Sequence, residues 1–217
     1  MKILEMAHYL SKYVVGFEGN VSEKIEGGFL IKASGTELIN LKEEDLVLCN
    51  FNKNQINNFN KKPSIEIDFH FSLLKNDEIN YVAHVHPINT LKILCSKNAK
   101  EFAEKRLFPD QVIFNKSKSC FVPYGNPSKD ISEKIELSLK KFIKENNFFP
   151  NLFLLENHGI ICIGKNYKEC IYIADICEKS AEIYLGAKLN KIIFLSNKDI
   201  KKLQNDKNEI YRKEMVK

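Results

Sequence analysis

No stretch of the 217 residues approaches the roughly 18–20 consecutive apolar positions that a membrane-spanning helix needs, so no helical membrane span is expected. Arginine is nearly missing: Arg106 and Arg212 are the only two, and lysine supplies the rest of the 33 basic residues. Nucleic-acid readers rely on the planar, bidentate guanidinium, whereas these lysines are scattered along the whole chain. The net charge of +5 against 28 acidic residues therefore reads as a solvated lysine surface, and no nucleic-acid partner is expected. Paired cysteine motifs are also missing. Cys49, Cys95, Cys120, Cys162, Cys170 and Cys177 contain no C-x-x-C and sit mostly among apolar neighbours, which favours buried reduced thiols over a disulfide framework or a cysteine-zinc site.

What is present is ordinary for a globular protein: 44% hydrophobic and 28% charged residues, enough for a packed core. The length suits one α/β domain over residues 1–217. The opening MKILEMAHYLSKYV spaces its apolar residues and is followed by no small-residue cleavage site, so a secretory signal is not expected and the predicted location is cytoplasmic.

Hydrophobic periodicity supplies the elements. Ile3, Met6, Ala7, Leu10 and Val14 predict an amphipathic helix over 2–15, stopped at Gly16. Strands follow at 20–25 and 29–33 around a Glu26-Gly27-Gly28 turn, with a third at 45–50. Residues 50–62, rich in Asn and Lys, read as a loop. Ser64 after Pro63 is placed to cap a helix through Ile67, Phe71 and Leu74. The pattern then predicts a strand at 81–86, a helix at 88–96, strands at 112–114 and 119–122, and a helix at 128–146. Strands at 152–155 and 160–163 flank a polar turn at 157–159, and a long helix runs from Tyr167 to about Leu189. Strands in the middle and helices at both ends predict a mixed sheet between helix layers.

The histidines carry the chemistry. In His84-Val85-His86, on a predicted strand, residues i and i+2 project from one face roughly 6–7 Å apart at their bases and can converge on one ion. A catalytic zinc site usually takes three protein ligands, and His158, in the turn between two strands, is a candidate third. His8 reads as a surface residue.

The order of short motifs is informative. Gly19-Asn20-Val21-Ser22, Ala33-Ser34-Gly35-Thr36, Pro63-Ser64-Ile65-Glu66, His84-Val85-His86-Pro87, Val122-Pro123-Tyr124-Gly125 and Glu156-Asn157-His158-Gly159 follow one another along the chain. In this the sequence resembles the class II aldolase/adducin family, from about residue 3 to residue 190. The resemblance implies a three-layer α/β/α sandwich with a mixed, mostly antiparallel sheet. It implies one divalent metal per chain, most often Zn2+, held by His84, His86 and His158, with Glu66 as a further ligand that becomes the catalytic acid/base. Asn20, Ser34, Gly35 and Ser64 would bind a substrate phosphate. Tyr211 falls where the family's tail tyrosine acts as an acid, and His70 where the family has a helix histidine next to the site, which makes it a residue beside the site or a structural one and not a fourth ligand.

The implied reaction is aldolase-type C–C cleavage or formation through a metal-stabilised enediolate, on a small phosphorylated sugar or sugar acid. A homotetramer with interfacial sites is implied as well. A decarboxylase of 3-oxo-acid phosphates, a 4-epimerase, a dehydratase and the non-catalytic adducin head share the resemblance. Glu66 leans toward aldolase, because the epimerases tend to carry Asp there, and the three histidines argue against the adducin head. Two departures stand out. Ile65 replaces the second serine of the aldolase pattern, and residues 100–118 contain no tyrosine to act as acid.

Overall fold

The computed structural model describes residues 1–52, 54–57, 60–127, 129–187 and 192–214. In chain order the elements are α1 (Lys2–Leu10), β1 (Asn20–Ile25), β2 (Gly28–Lys32), β3 (Leu46–Asn50), α2 (Ile67–Leu74), β4 (Tyr81–Val85), α3 (Ile88–Leu94), α4 (Ala99–Glu104), α5 (Pro109–Asn115), β5 (Cys120–Val122), α6 (Lys129–Asn146), β6 (Leu152–Leu155), β7 (Gly159–Gly164), α7 (Tyr167–Ala187), α8 (Asn197–Gln204) and α9 (Lys207–Glu214). The seven strands form one sheet in the order β3-β2-β1-β4-β7-β6-β5. Every pairing is antiparallel except that of β5 with β6.

Alternation along the strands splits the core into two layers. Val21, Ala83, Val85, Ile160 and Cys162 pack with Ile3, Met6 and Leu10 of α1 and with Cys170, Ile173, Cys177 and Tyr184 of α7. The intervening residues Val82, Ile161 and Ile163 pack with Phe69, Leu73 and Leu74 of α2 and with Ile131 and Ile135 of α6. A three-layer α/β/α sandwich with a mostly antiparallel sheet results, as the resemblance implies. Among the described residues, no helix is long and apolar enough to cross a membrane. Five of the six thiols are buried and Cys95 is exposed; all six are free.

Three expectations are corrected. Residues 112–114 are not a strand but part of α5, where Pro109 occupies the first helical turn after an extended Phe108 and Val112 and Ile113 are buried. Val-Ile-Phe has high strand propensity, but it lies in a helix packed against α7. The opening helix ends at Leu10; a 3-10 turn follows at Ser11–Tyr13 and the chain is extended at Val14. Ser64 does not cap α2. The residue before the helix is Glu66, and the Ser64 hydroxyl accepts the Glu66 N–H at 3.3 Å, turning the chain into the helix two residues early.

Smaller differences concern element ends. Strands β2, β3 and β4 occupy 28–32, 46–50 and 81–85, α3 stops at Leu94, and β7 spans 159–164. Gln55, inside the predicted 50–62 loop, forms an isolated bridge with Cys49. Ser128 and Leu189, predicted helix ends, lie outside the described residues, as do 53, 58 and 59 of the loop. The short helices α4, α8 and α9 have no counterpart in the sequence reading.

Candidate metal centre

The centre is built where β1, β4 and β7 lie side by side. Register places Asn20 of β1 directly opposite His84 of β4, and Ile161 of β7 on its other side. His84 shares the face of Val82, toward α2, and its ring meets Phe69 edge-on with centroids 5.7 Å apart. His86 lies one residue past β4, on the same face by the period of two.

His158 arrives from the β6–β7 turn, and its neighbours explain the Asn-His-Gly triplet. Asn157 adopts a positive φ of 54°, which asparagine tolerates better than most residues. A Cβ on Gly159 would lie 2.5 Å from His86 Cδ2 and 2.7 Å from Val85 O, so only glycine lets the turn close against the ring of His86.

The three imidazoles converge. One ligand nitrogen from each lies within 4.8 Å of the others. His84 Nε2 and His86 Nε2 are 3.0 Å apart, close to the roughly 3.3 Å separating two tetrahedral zinc ligands with bonds of about 2.0–2.1 Å. Glu66, at the start of α2, reaches the same point. Its Oε2 is 3.4 Å from His84 Nε2, and its Oε1 is 3.5 Å from His158 Nε2.

Protonation states fit a cation here. His84 Nδ1 lies 2.9 Å from the Ile160 carbonyl and so carries the proton, leaving Nε2 a lone pair aimed at the Glu66 carboxylate. Two acceptors facing each other call for a positive charge between them, and Glu66 Oε1 is itself buried without a hydrogen-bond partner. Burial, with His86 and His158 nearby, holds His84 well below its ordinary pKa. Burial lowers His86, and burial with His86 close by lowers His158 to about 4. All three are neutral at pH 7, the form that binds metal. Burial raises the pKa of Glu66, while the Asn20 hydrogen bond and the Lys32 charge oppose it.

Asn20 ties the carboxylate to a buried histidine. Its Nδ2 donates to Glu66 Oε2 at 2.7 Å, and its Oδ1 accepts from His70 Nε2. The Ser22 hydroxyl completes the line at 2.6 Å from His70 Nδ1. His70 is thus beside the site, one of the two placements the resemblance implies. His8 is exposed on α1, with Nε2 2.8 Å from Leu41 O.

The remaining candidates form a second group. Ala33 pairs with Pro63, Ser34 N–H donates to Lys62 O at 2.8 Å, and Ser64 N–H donates to Lys32 O at 3.0 Å. Ser34, Gly35 and Ser64 are thereby brought together, with Gly35 at φ 79°. Tyr211 is not brought to the histidines by any contact described for it. It is 62% exposed on α9, which packs on α5 and α8.

Two residues escaped the sequence reading. Lys32 is buried, and burial lowers its pKa to about 8, with Asp45, Glu37 and Glu66 opposing; it donates to Phe17 O at 3.0 Å and Thr36 O at 2.5 Å. A lysine at the end of an apolar strand was the available signal. Glu18 has its Oε2 3.2 Å from His86 Nδ1, and nothing in the residue pattern announces that contact.

A mostly antiparallel α/β/α sandwich with three neutral histidines and a buried glutamate meeting at one sheet end defines a class of proteins able to hold a divalent metal. Residues 3–185 match the family model described as Class II Aldolase and Adducin N-terminal domain, and the chain belongs to that family. It is 26% identical over 205 residues to 3-oxo-tetronate 4-phosphate decarboxylase of Haemophilus influenzae, covering 93% of both chains. It is 29% identical over 178 residues to L-fuculose phosphate aldolase of Methanocaldococcus jannaschii, covering 82% of this chain and 89% of that one. Among solved structures, YgbL of Klebsiella pneumoniae, described as a putative aldolase/epimerase/decarboxylase, superposes with a TM-score of 0.79 at 23% identity, over 93% of this chain and 95% of that one. An L-fuculose 1-phosphate aldolase gives 0.76 at 19% identity, over 93% and 92%.

Proposed function

We propose that this protein is a divalent-metal-dependent lyase that cleaves or forms the C–C bond between the carbons α and β to the carbonyl of a small phosphorylated sugar or sugar acid. The observation that carries the reading is the meeting of His84, His86 and His158 with the buried carboxylate of Glu66. In it His84, His86 and His158 hold the metal, Zn2+ or another divalent ion, with Glu66 completing the resting set. The bound cation supplies a Lewis acid that polarises a carbonyl. Glu66 moves the proton: it is buried, its pKa is raised, and Asn20 fixes one of its oxygens and leaves the other free.

Phosphate binding falls to the Ser34 and Ser64 hydroxyls and the Gly35 N–H, because the Ser34 and Ser64 backbone N–H groups are already spent on Lys62 O and Lys32 O; Asn20, expected to join them, has both side-chain groups bonded to Glu66 and His70 and is left out of this set. Lys32, bonded to Thr36 O of the same loop, adds positive potential. Tyr211, exposed on α9, serves as an acid for a neighbouring chain in a cytoplasmic homotetramer. Decarboxylation of a 3-oxo-acid phosphate is the second reading, favoured by the similarity over 93% of both chains to the Haemophilus influenzae decarboxylase.

Phosphorylated ketoses and 3-oxo-acid phosphates, each offered with and without chelator, discriminate the two: an aldehyde product marks the aldolase and carbon dioxide the decarboxylase. Glu66→Gln is expected to retain bound zinc and lose turnover. An unchanged kcat in that variant would remove the proton-transfer role.

A further inference from the structure

We propose that Glu18 is a positioning residue of the metal centre, holding His86 in the one tautomer and orientation that presents Nε2 to the ion. The inference rests on the reading of His84, His86 and His158 as a metal site and adds to it a residue that the motifs do not contain.

The three candidate ligands are secured differently. His84 lies within β4, paired on both sides, with Nδ1 anchored on Ile160 O. His158 lies in a tight turn between paired strands, and its N–H donates to Leu155 O at 3.2 Å. His86 is past the end of β4. Its backbone N–H donates to Tyr13 O at 3.2 Å, but that bond does not fix the ring, and the side chain is 16% exposed. Left to itself, such a ring can populate either tautomer and more than one rotamer.

Glu18 removes both freedoms. Its Oε2 is 3.2 Å from His86 Nδ1. A carboxylate only accepts, so the single N–H of neutral His86 must sit on Nδ1, and the Nε2 lone pair then points to where His84 Nε2 lies 3.0 Å away. The carboxylate is itself held, although the residue is 46% exposed. The same Oε2 accepts the Val15 N–H at 3.1 Å, and the Glu18 N–H returns to Val15 O at 3.2 Å, closing a reciprocal turn. Gly16 at φ 56° and Gly19 at φ 68° bend the chain on either side, and Lys32 Nζ pins Phe17 O from β2. An acidic partner on the far nitrogen also makes the ring a stronger metal donor.

The test compares wild type, Glu18→Gln and Glu18→Ala. Zinc affinity is measured by chelator competition, and the His86 tautomer by 15N NMR of the metal-free protein. Glu18→Ala is expected to weaken zinc binding by about 10–100-fold. Its His86 signals should show mixed tautomers where wild type shows Nδ1–H alone. Glu18→Gln, which keeps an acceptor but not the charge, should restore the tautomer and recover part of the affinity. Affinity within twofold of wild type for Glu18→Ala, or a wild-type ring protonated on Nε2, would overturn the inference while leaving the metal reading intact. Wild type that binds no zinc yet holds the Nδ1–H tautomer through Glu18 would overturn the metal reading and confine Glu18 to ordering the ring.

Discussion

At the scale of single residues, the site is decided by small, buried choices. His70 is fully buried between Asn20 and Ser22, and burial lowers its pKa from 6.5 to about 3. The unfolded chain therefore binds a proton that the folded chain refuses. The stability linked to this group is complete above pH 6.5 and is lost as pH falls toward and through about 3. Denaturant midpoints of the chelator-treated protein are expected to fall between pH 7 and pH 4, and less steeply in His70→Asn. Gly159 makes a second test. Gly159→Ala pushes a methyl onto His86 Cδ2 and should cost about 1–3 kcal/mol in denaturation together with a loss of zinc affinity. Gly186→Ala, on an exposed position of α7 with nothing within 4 Å of the new methyl, should instead stabilise by up to about 1 kcal/mol.

At the scale of elements, one arginine joins three of them. Arg106 is 1% exposed and has no carboxylate among its hydrogen-bond partners. Its fork donates to Ala103 O and Lys105 O at the end of α4, to Asn115 O and Lys116 O at the end of α5, and to the Ser119 hydroxyl before β5. Two helix C-termini, each carrying partial negative charge, thus share one cation. Burial lowers its pKa to about 9, which still leaves it charged at neutral pH. Lysine has three donors on a point charge and cannot span these acceptors. Arg106→Lys is expected to cost at least about 2 kcal/mol, read from the urea midpoint, by leaving buried carbonyls unpaired. Of the two arginines in the chain, this one is structural, which agrees with the absence of a guanidinium-rich binding surface.

At the scale of the whole molecule, exposed apolar residues occur along the chain, and four of the large ones lie close in sequence to the site. Val15, Phe17, Ile65 and Ile88 are 77%, 65%, 64% and 67% exposed, and each lies within three residues of Glu18, Glu66 or His86. The homotetramer proposed above predicts a light-scattering mass of about four times the 25.1 kDa of the chain. A monomer at micromolar concentration would contradict the tetramer and with it the role of Tyr211.

Much of this was legible in the residue pattern. The period of two placed His84 and His86 on one face, and the run of strands between helices at both ends of the chain gave the layers. Short elements were not legible. Val112 to Phe114 carry strand propensity yet lie in a helix, because the packing of α5 on α7 outweighs a preference worth less than about 1 kcal/mol. The chain by itself settled which side chains could serve as ligands and on which face each strand would present them, since both follow from local chemistry and backbone geometry. Glu66 was expected beside the histidines from the resemblance and not from any spacing; only the tertiary structure decided that Asn20 would stand opposite His84 and that Glu18 would meet His86. Those contacts depend on strand order and on turns between distant segments, and no local spacing encodes them.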